Sequence, residues 1–377
     1  MSHAFAEADA PGPMRDALAL AALARDCVAS GVERRALHLR FSTLPREYRE
    51  QRHRRLLQET MAPLLRPTRG RLYELPGGDL VALSPPPGDY LLLVRVALSR
   101  LMPDISSDAL MPLLRLPGEA AALLSAVEAA LGLAVRPCPA PALVLPAATP
   151  AALEGALRSL ATANVASHVR RQPLCHLGPG EQEAMTIAQE VRVHSVSLGG
   201  LLLPGADPGP RFHQAAERRM LAGLARPEEA RMLGSACLPL GLATLQEPEF
   251  LRLEGLLGPW GRSMLSVCVP LADALEEPGS FAFLRRWAAT RGWTLGLDDL
   301  TAKAMLALPL GRLGLKLLRL RFEPSLLRAD AATRAALEAA LPEDRRTLVL
   351  TGADTPAAVA WGWQRGLSRF MGRLMRA

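Results

Sequence analysis

Lysine is almost absent from this sequence of 377 residues, in which only Lys303 and Lys316 occur. Aromatic residues are also scarce, at 4%, and the many arginines are interspersed with Asp and Glu instead of forming a basic run. A surface that stacks bases needs basic and aromatic side chains close together. Despite the formal net charge of +7, we therefore expect no binding to nucleic acid.

Long apolar runs and paired cysteines are missing as well. The apolar stretch 17–24 lies between Asp16 and Arg25 and is shorter than the roughly 18–20 residues that span a bilayer. No basic segment precedes an apolar stretch in the manner of a secretory signal. The five cysteines are scattered, without a CxxC pair for zinc or redox chemistry. We expect no membrane insertion, a cytoplasmic location and buried, reduced thiols.

The residues that are present indicate a globular protein of more than one domain. Hydrophobic residues make up 49% of the chain and charged residues 21%, and its length exceeds the roughly 100–200 residues of one domain. Four prolines between Pro137 and Pro146 mark a linker. We predict a helix and tail over 1–33, an α+β domain over 34–136, a Pro-rich linker with a connecting helix over 137–169, and a third segment over 170–377.

Local patterns predict the elements of the first domain. A helix over 14–30 ends at Gly31, and alternation over 36–41 predicts a strand. An amphipathic helix should run from Pro45 to Pro67. Two strands, 70–75 and 80–84, flank a Pro-Gly-Gly-Asp turn, which is typical of a β-hairpin. A helix over 119–131 completes this α+β order.

The rest of the chain alternates between apolar segments and helical stretches. Thr149 and Pro150 form the N-cap and first turn of a helix that precedes this region. Alternation of this kind predicts an α/β fold with a parallel sheet or barrel. The apolar segments are 190–196, 232–242, 263–269, 293–297, 313–320 and 347–350.

Several motifs in this region follow one another in a recognisable order. Paired carboxylates, Asp298 and Asp299, end one predicted strand, and the next predicted strand contains Lys316. The other motifs are Arg171-Gln172-Pro173, Glu190, Gly352-Ala353-Asp354-Thr355 and Gly372. Together they cover residues 170–377 and resemble the EAL family of cyclic di-GMP phosphodiesterases. The resemblance implies a TIM-type barrel.

The predicted hairpin of the first domain also resembles a known motif. Gly77-Gly78-Asp79, followed by Leu80 and Val81, is similar to the GGDEF hairpin of cyclic di-GMP synthases, but the acidic residue after the Asp is missing. Gly-Gly-Asp is also a common tight turn. We therefore expect a smaller, vestigial GGDEF-like domain without synthase activity.

The EAL resemblance assigns roles to particular residues. It implies two divalent metal ions, Mg²⁺ or Mn²⁺, that activate water at the carboxyl rim of the barrel. The metal ligands would be Asp298, Asp299 and Glu190, the catalytic candidates Lys316 and Glu190, and the nucleotide-binding residues Gln172, His194 and Asp354. In an alternative interpretation, Asp298 and Asp299 cap the helix that begins near Thr301.

The sequence departs from the family pattern at several ligand positions. The segment 237–241 has no asparagine and 265–268 has no glutamate, while Thr351, His194 and Met371 replace an acid, an arginine and a glutamine. Losing carboxylates removes both the coordination and the negative charge that hold a divalent ion. We therefore expect an incomplete metal site, a cofactor only if a site survives, and little or no turnover.

Three functional hypotheses stay open. The first is a non-catalytic regulatory, interaction or nucleotide-sensing module in cyclic di-GMP signalling, with cyclic di-GMP as ligand, a signalling or scaffold protein as partner and a homodimer as assembly. The second is a phosphodiesterase whose rearranged metal site uses Glu249 or Asp273. The third is an unrelated barrel or scaffold that binds acidic partners through the Arg-rich helix from Arg46 to Arg66.

Overall fold

The computed structural model describes residues 12–44, 59, 61, 70–101, 107–132, 145–181 and 183–375. These residues form two compact units. The first contains the described residues up to 132 together with Gly178–Glu181 and Thr355–Gly366, and the second contains the remainder. Nearly all of the helix predicted over 45–67, including the Arg-rich segment, lies outside the described residues, as do the first three linker prolines.

The first unit contains a four-stranded antiparallel sheet in the order β2-β3-β1-β4. Its strands are β1 (Arg34–Leu39), β2 (Arg71–Glu74), β3 (Leu80–Ser84) and β4 (Leu113–Leu116). The predicted hairpin is confirmed, because β2 and β3 pair across a turn in which Gly77 and Gly78 have φ angles of 89° and 96°. The helices are α1 (Gly12–Ser30), α2 (Asp89–Leu101), α3 (Ser107–Leu110) and α4 (Ala120–Ala130).

The second unit is built around a closed eight-stranded barrel in the order β10-β11-β12-β5-β6-β7-β8-β9. Its strands are β5 (Val169–His176), β6 (Met185–Val193), β7 (Ala236–Pro239), β8 (Leu265–Pro270), β9 (Thr294–Leu300), β10 (Leu318–Arg321), β11 (Leu348–Thr351) and β12 (Arg369–Met371). The barrel and the smaller sheet confirm the predicted α/β class.

One strand of the barrel runs against its neighbours. Strand β5 is antiparallel to both β6 and β12, whereas the other neighbouring strands pair in parallel. The register places Gln172 opposite Glu190. The N-terminal half of β5 therefore meets the C-terminal half of β6, and Gln172 lies at the same end of the barrel as the carboxyl ends of the parallel strands.

Helices connect the strands of the barrel. The predicted cap of the first helix is confirmed, because Thr149 Oγ1 accepts the N–H of Ala152 at 3.3 Å. No helix among the described residues is long and apolar enough to cross a membrane. The helices of this unit are α5 (Pro150–Thr162), α6 (Ser195–Leu202), α7 (Gly209–Leu224), α8 (Pro227–Met232), α9 (Pro248–Leu256), α10 (Gly258–Ser263), α11 (Leu271–Glu276), α12 (Pro278–Arg291), α13 (Ala302–Ala307) and α14 (Ala331–Ala340).

The barrel is filled by side chains and is not a pore. Its interior cluster comprises Leu174, Cys237, Cys268, Leu317, Val349 and Met371. Gly296 in β9 lies so close to β10 that a Cβ atom on it would overlap the carbonyl oxygen of Leu317. This glycine therefore permits the close spacing of β9 and β10, two strands that carry charged residues at their carboxyl ends.

The first unit also includes a helix from late in the chain, α15 (Pro356–Trp363), which packs on α4. Its first turn is held by Glu128, whose Oε1 accepts the N–H of Ala357 at 2.6 Å. Thr355 caps the same turn by accepting the N–H of Ala358. Burial raises the pKa of Glu128 even though it accepts these backbone and side-chain hydrogen bonds.

Candidate functional site

A cavity of about 580 Å³ opens at the carboxyl ends of the parallel barrel strands. This is the end at which barrels of this type bind substrates, and the volume is within the usual range for small-ligand sites. Polar side chains from two pairs of adjacent strands, β5–β6 and β9–β10, line it. They are Gln172 of β5, Glu190 and Arg192 of β6, Asp298 and Asp299 of β9, and Arg319 and Arg321 of β10. We call it the barrel-mouth cavity.

Arg319 lies between the two most deeply placed carboxylates of this cavity. Its side chain is only 4% exposed. One terminal nitrogen donates to Glu190 Oε2, and the other donates to Asp298 Oδ2 at 2.9 Å. Burial alone would lower the pKa of Arg319, but Asp298 and Glu190 outweigh it and raise the pKa, so the guanidinium stays charged. A fixed cation thus occupies the space between Glu190 and Asp298.

Arg192 contacts the same two carboxylates from the solvent side. It follows Glu190 by two residues on β6, so both side chains point to the same face of the strand. Its Nε lies 2.8 Å from Glu190 Oε1, and its Nη2 lies 3.5 Å from Asp298 Oδ2. The Arg192 side chain is 45% exposed. Each carboxylate is therefore shared by one buried and one half-exposed guanidinium.

Asp299 lies at the rim of the cavity in an unusual backbone conformation. Its φ angle of 56° is in the left-handed region, which Asp tolerates better than most residues. Its N–H donates to Asp298 Oδ1 at 2.7 Å, and its Oδ1 accepts from Arg321 at 2.8 Å. The alternative that these aspartates cap the next helix is wrong, because Thr301 Oγ1 caps α13 by accepting the N–H of Ala304 at 3.2 Å.

Lys316 is not among the residues that line the barrel-mouth cavity. The prediction that it lies within a strand is wrong, because β10 begins at Leu318 and Lys316 is exposed ahead of it. The continuous apolar pattern over 313–320 hid the true start of the strand. Arg319 is the cation that this strand directs at the carboxylates.

His194 and Asp354 also lie outside the lining of the cavity, and each holds a local turn. His194 is the N-cap of α6, and its Nδ1 accepts the N–H of Ser197 at 3.2 Å. Asp354 Oδ1 accepts the N–H of Arg373 at 2.7 Å. Of the residues that the sequence singled out, the structure brings together Gln172, Glu190, Asp298 and Asp299, and leaves Lys316, His194 and Asp354 apart from them.

Two residues of α7 that sequence reasoning did not select also line the cavity, His213 and Glu217. They are four residues apart and so share one helix face, a spacing that could have drawn attention to them. Glu217 Oε2 accepts the N–H of Gly241 at 3.0 Å and the hydroxyl of Thr244 at 2.5 Å. Burial raises the pKa of Glu217, while these hydrogen bonds lower it in part.

The strands between β6 and β9 bring no oxygen ligand for a metal ion to this end of the barrel. Strands β7 and β8 end in Pro239 and Pro270. Their thiols, Cys237 and Cys268, lie in the barrel interior with 3.5 Å between the sulfur atoms. Burial holds the pKa of Cys268 well above its usual value, so this thiol stays protonated.

The residues present do not fit a two-metal centre. Within the described part of the chain, no group of three or more His, Cys, Asp or Glu is arranged to hold a metal ion. The carboxylates that remain, Glu190 and Asp298, already accept hydrogen bonds from Arg319. Asp273 accepts the N–H of Leu242 at 2.9 Å. Glu249 pairs with an arginine of α7 and lines a different cavity.

The sequence matches no protein-family profile and no curated protein. Solved structures resemble it distantly. Apo LapD S helix-GGDEF-EAL of Vibrio cholerae is 12% identical, with 96% of this chain and 93% of that chain covered and a TM-score of 0.44. The FimX EAL domain of Xanthomonas citri, in complex with c-diGMP, is 10% identical over 59% and 92%, with a TM-score of 0.43. Klebsiella pneumoniae BlrP1, as a manganese/cy-diGMP complex, is 14% identical over 91% and 95%, with a TM-score of 0.41.

Proposed function

We propose that this chain is a non-catalytic regulatory module that binds a cyclic dinucleotide, cyclic di-GMP, at the barrel-mouth cavity without hydrolysing it. The observation that carries the proposal is the position of Arg319 between Glu190 and Asp298. The cavity keeps its polar lining, but two of its carboxylates, Glu190 and Asp298, are engaged by a permanent internal cation. The choice of ligand rests on the order of motifs that resembles the EAL family.

Hydrolysis of a phosphodiester needs an activated water, and the residues of this cavity supply no evident activating group. An arginine stays protonated and cannot act as a base. Glu190 and Asp298 accept hydrogen bonds from Arg319, so the oxygens that would take a proton from water are already engaged. The third buried acid, Glu217, is held by Gly241 and Thr244. These contacts favour binding without turnover.

Binding of phosphate is supported by the two half-exposed arginines at the rim. Arg192 and Arg321 have side chains that are 45% and 50% exposed, and both line the cavity. Arginine forms bidentate, charge-assisted hydrogen bonds with phosphate oxygens. Asp299, the partner of Arg321, is 62% exposed, and exchanging it for a phosphate costs little, because such surface pairs contribute only about 0–1 kcal/mol. Arg321 can therefore turn toward an anionic ligand, whereas Arg192 is held by the buried Glu190 and Asp298 and would meet the ligand from that position.

The first domain fits the same proposal as a vestigial GGDEF-like unit. Asp79 Oδ1 accepts the N–H of Ser42 at 2.7 Å, and Asp79 Oδ2 lies 3.1 Å from Nε2 of the buried His38. The acid of the Gly-Gly-Asp turn is therefore engaged within its own sheet. Under this proposal the output of nucleotide binding passes to a signalling or scaffold protein, and the assembly is a homodimer.

Calorimetric titration of the full chain with cyclic di-GMP tests the proposal, once with EDTA and once with Mn²⁺. We expect the same dissociation constant in both and no linear product. Arg192→Ala and Arg321→Ala should each weaken binding about tenfold or more. Lys316→Ala is the matched control, since this cation is exposed and does not line the cavity, and it should leave binding unchanged.

Two results would contradict the proposal. Binding that requires Mn²⁺, together with hydrolysis that Asp298→Ala abolishes, would establish the phosphodiesterase alternative. No binding in either buffer would remove the nucleotide from the proposal and leave a protein-interaction scaffold.

A further inference from the structure

A second cavity lies on the outside of the barrel, next to the segment between α5 and β5 and the C-terminal half of α7. Its volume is about 510 Å³. Arg171 of β5 lines it, and since adjacent strand residues point to opposite faces, Arg171 faces outward where Gln172 faces the barrel mouth. Arg219 of α7 and Arg226, which precedes α8, complete its basic lining. We call it the arginine cavity.

The positive charge of the arginine cavity is poorly neutralised. The guanidinium of Arg226 has no hydrogen bond or ion pair among the described residues. Within the described part of the chain, the acidic partner of Arg171 is Glu229, at 3.9 Å. Arg219 donates through Nε to Ala163 O at 2.7 Å and through Nη2 to Thr162 O at 3.4 Å, which fixes it in place without neutralising its charge. Three guanidiniums therefore face one carboxylate.

An adjacent cavity of about 440 Å³ is also lined by arginines, but there two of them have acidic partners. It shares Arg219 with the arginine cavity, but its other basic residues are Arg211 and Arg218. Arg218 lies 3.1 Å from Glu249 and 3.6 Å from Glu247, and Arg211 lies 3.8 Å from Glu154. Each of these arginines has an acidic partner of its own. Unbalanced positive charge is thus a property of the arginine cavity and not of the whole α7 surface.

Apolar residues also line the arginine cavity. Among them are Val165, Met220 and Leu224, which are 5%, 1% and 5% exposed. A ligand that contacts both the arginines and these residues must combine an anionic group with an apolar body. The planar guanidinium of arginine can donate two parallel hydrogen bonds to the oxygens of a phosphate group.

We infer that the arginine cavity binds a small organic phosphate, with its phosphate group held by Arg171, Arg219 and Arg226 and its organic part packed against Val165, Met220 and Leu224. This site is separate from the barrel-mouth cavity and does not depend on the proposed function, because none of its residues lines that cavity. The two sites can therefore be tested on the same protein without one result determining the other.

Calorimetric titration of the full chain with adenosine 5′-monophosphate, adenosine and inorganic pyrophosphate tests this inference. We expect both phosphates to bind and adenosine not to bind. Arg171→Ala and Arg226→Ala should each weaken binding of the monophosphate about tenfold or more. Both arginines are exposed, so the variants should keep the unfolding transition of the parent.

Arg211→Ala is the matched control. Arg211 is an exposed arginine of α7, the helix that carries Arg219, but it lines the adjacent cavity. It should leave the dissociation constant unchanged, and so should the double substitution of Arg192 and Arg321 by alanine. The inference is overturned if neither phosphate binds, if Arg211→Ala weakens binding as much as Arg226→Ala, or if the double variant abolishes binding of the monophosphate.

Discussion

The barrel mouth and the β2–β3 hairpin both carry acidic residues that the sequence singled out, and the two regions hold those residues differently. In the hairpin, Asp79 is held by the backbone of Ser42 and by the buried His38. At the barrel mouth, Glu190 and Asp298 are held by Arg319, but a cavity remains above them and half-exposed arginines line it.

In both regions the acids are held by internal partners, but the barrel-mouth acids also line a cavity. Asp79 now joins strands of its own sheet. Glu190 and Asp298 also join neighbouring elements, through Arg319, yet they lie beneath Arg192, which is open to solvent on one side. The predictions below test whether these internal hydrogen-bond partners account for the contribution of each acid to the stability of the fold.

The largest effect should come from Arg319→Met. The substitution removes the buried cation that Glu190 and Asp298 share and leaves them with the half-exposed Arg192, and removing one partner of a buried pair typically costs about 3–5 kcal/mol. Urea unfolding followed by tryptophan fluorescence should report this loss, because Trp293 directly precedes β9 and is buried. A loss below about 1 kcal/mol would show that Arg319 is not the counter-ion of the cluster.

Asp79→Ala should have the next largest effect, confined to the first unit. It removes a backbone and a side-chain hydrogen bond to a charged acceptor, and hydrogen bonds of this kind contribute about 1.5–3 kcal/mol. Hydrogen exchange of the β1 and β3 amides measures the loss. Glu33→Ala removes an exposed acid near β1 and serves as control. Equal protection in both variants would contradict the role of Asp79.

The same residue predicts a pH dependence. Burial opposes ionisation of Asp79, but hydrogen bonds from His38 and Ser42 outweigh it and lower the pKa of Asp79. The stabilisation is therefore present above the unfolded-state pKa of about 3.9 and is lost as the pH falls through the lower folded-state value. The difference in unfolding free energy between the parent and Asp79→Asn should be constant near neutral pH and shrink below about pH 4. A difference that does not change down to about pH 2 would refute this assignment.

Arg321→Ala should have the smallest effect on stability. Its partner Asp299 is 62% exposed, so the pair should contribute less than about 1 kcal/mol to the free energy of unfolding. The urea experiment used for Arg319 measures it directly. A loss above about 2 kcal/mol would mean that Arg321 holds Asp299 in its left-handed conformation and is not free to meet a ligand.

Local patterns in the sequence predicted much of the fold because they are set by neighbouring residues. The Gly-Gly-Asp turn fixed the hairpin, and Thr149 marked the start of α5. The direction of β5 could not be predicted, because alternation of polar and apolar residues carries no information about strand direction. The start of β10 was also missed, since the segment from Leu313 is apolar both before and within the strand.

The site was predicted only where its residues have a local signal in the sequence. Asp298 was found because it directly follows the apolar segment 293–297, which is a local property. Arg319 was not, because its contact with Glu190 joins residues 129 positions apart. His194 was expected at the site because it stands where the family pattern has an arginine, but the strand ends before it and its ring caps the next helix.

Gly296 has a consequence for how this barrel can change in evolution. The missing methyl group permits the spacing between the strand that carries Asp298 and the strand that carries Arg319. A substitution at position 319 alters what fills the gap between the acids, whereas a substitution at position 296 alters the gap itself. Exchanges of side chains in the cluster therefore leave the backbone spacing in place, whereas a larger residue at position 296 would overlap the carbonyl oxygen of Leu317 and force the two strands apart.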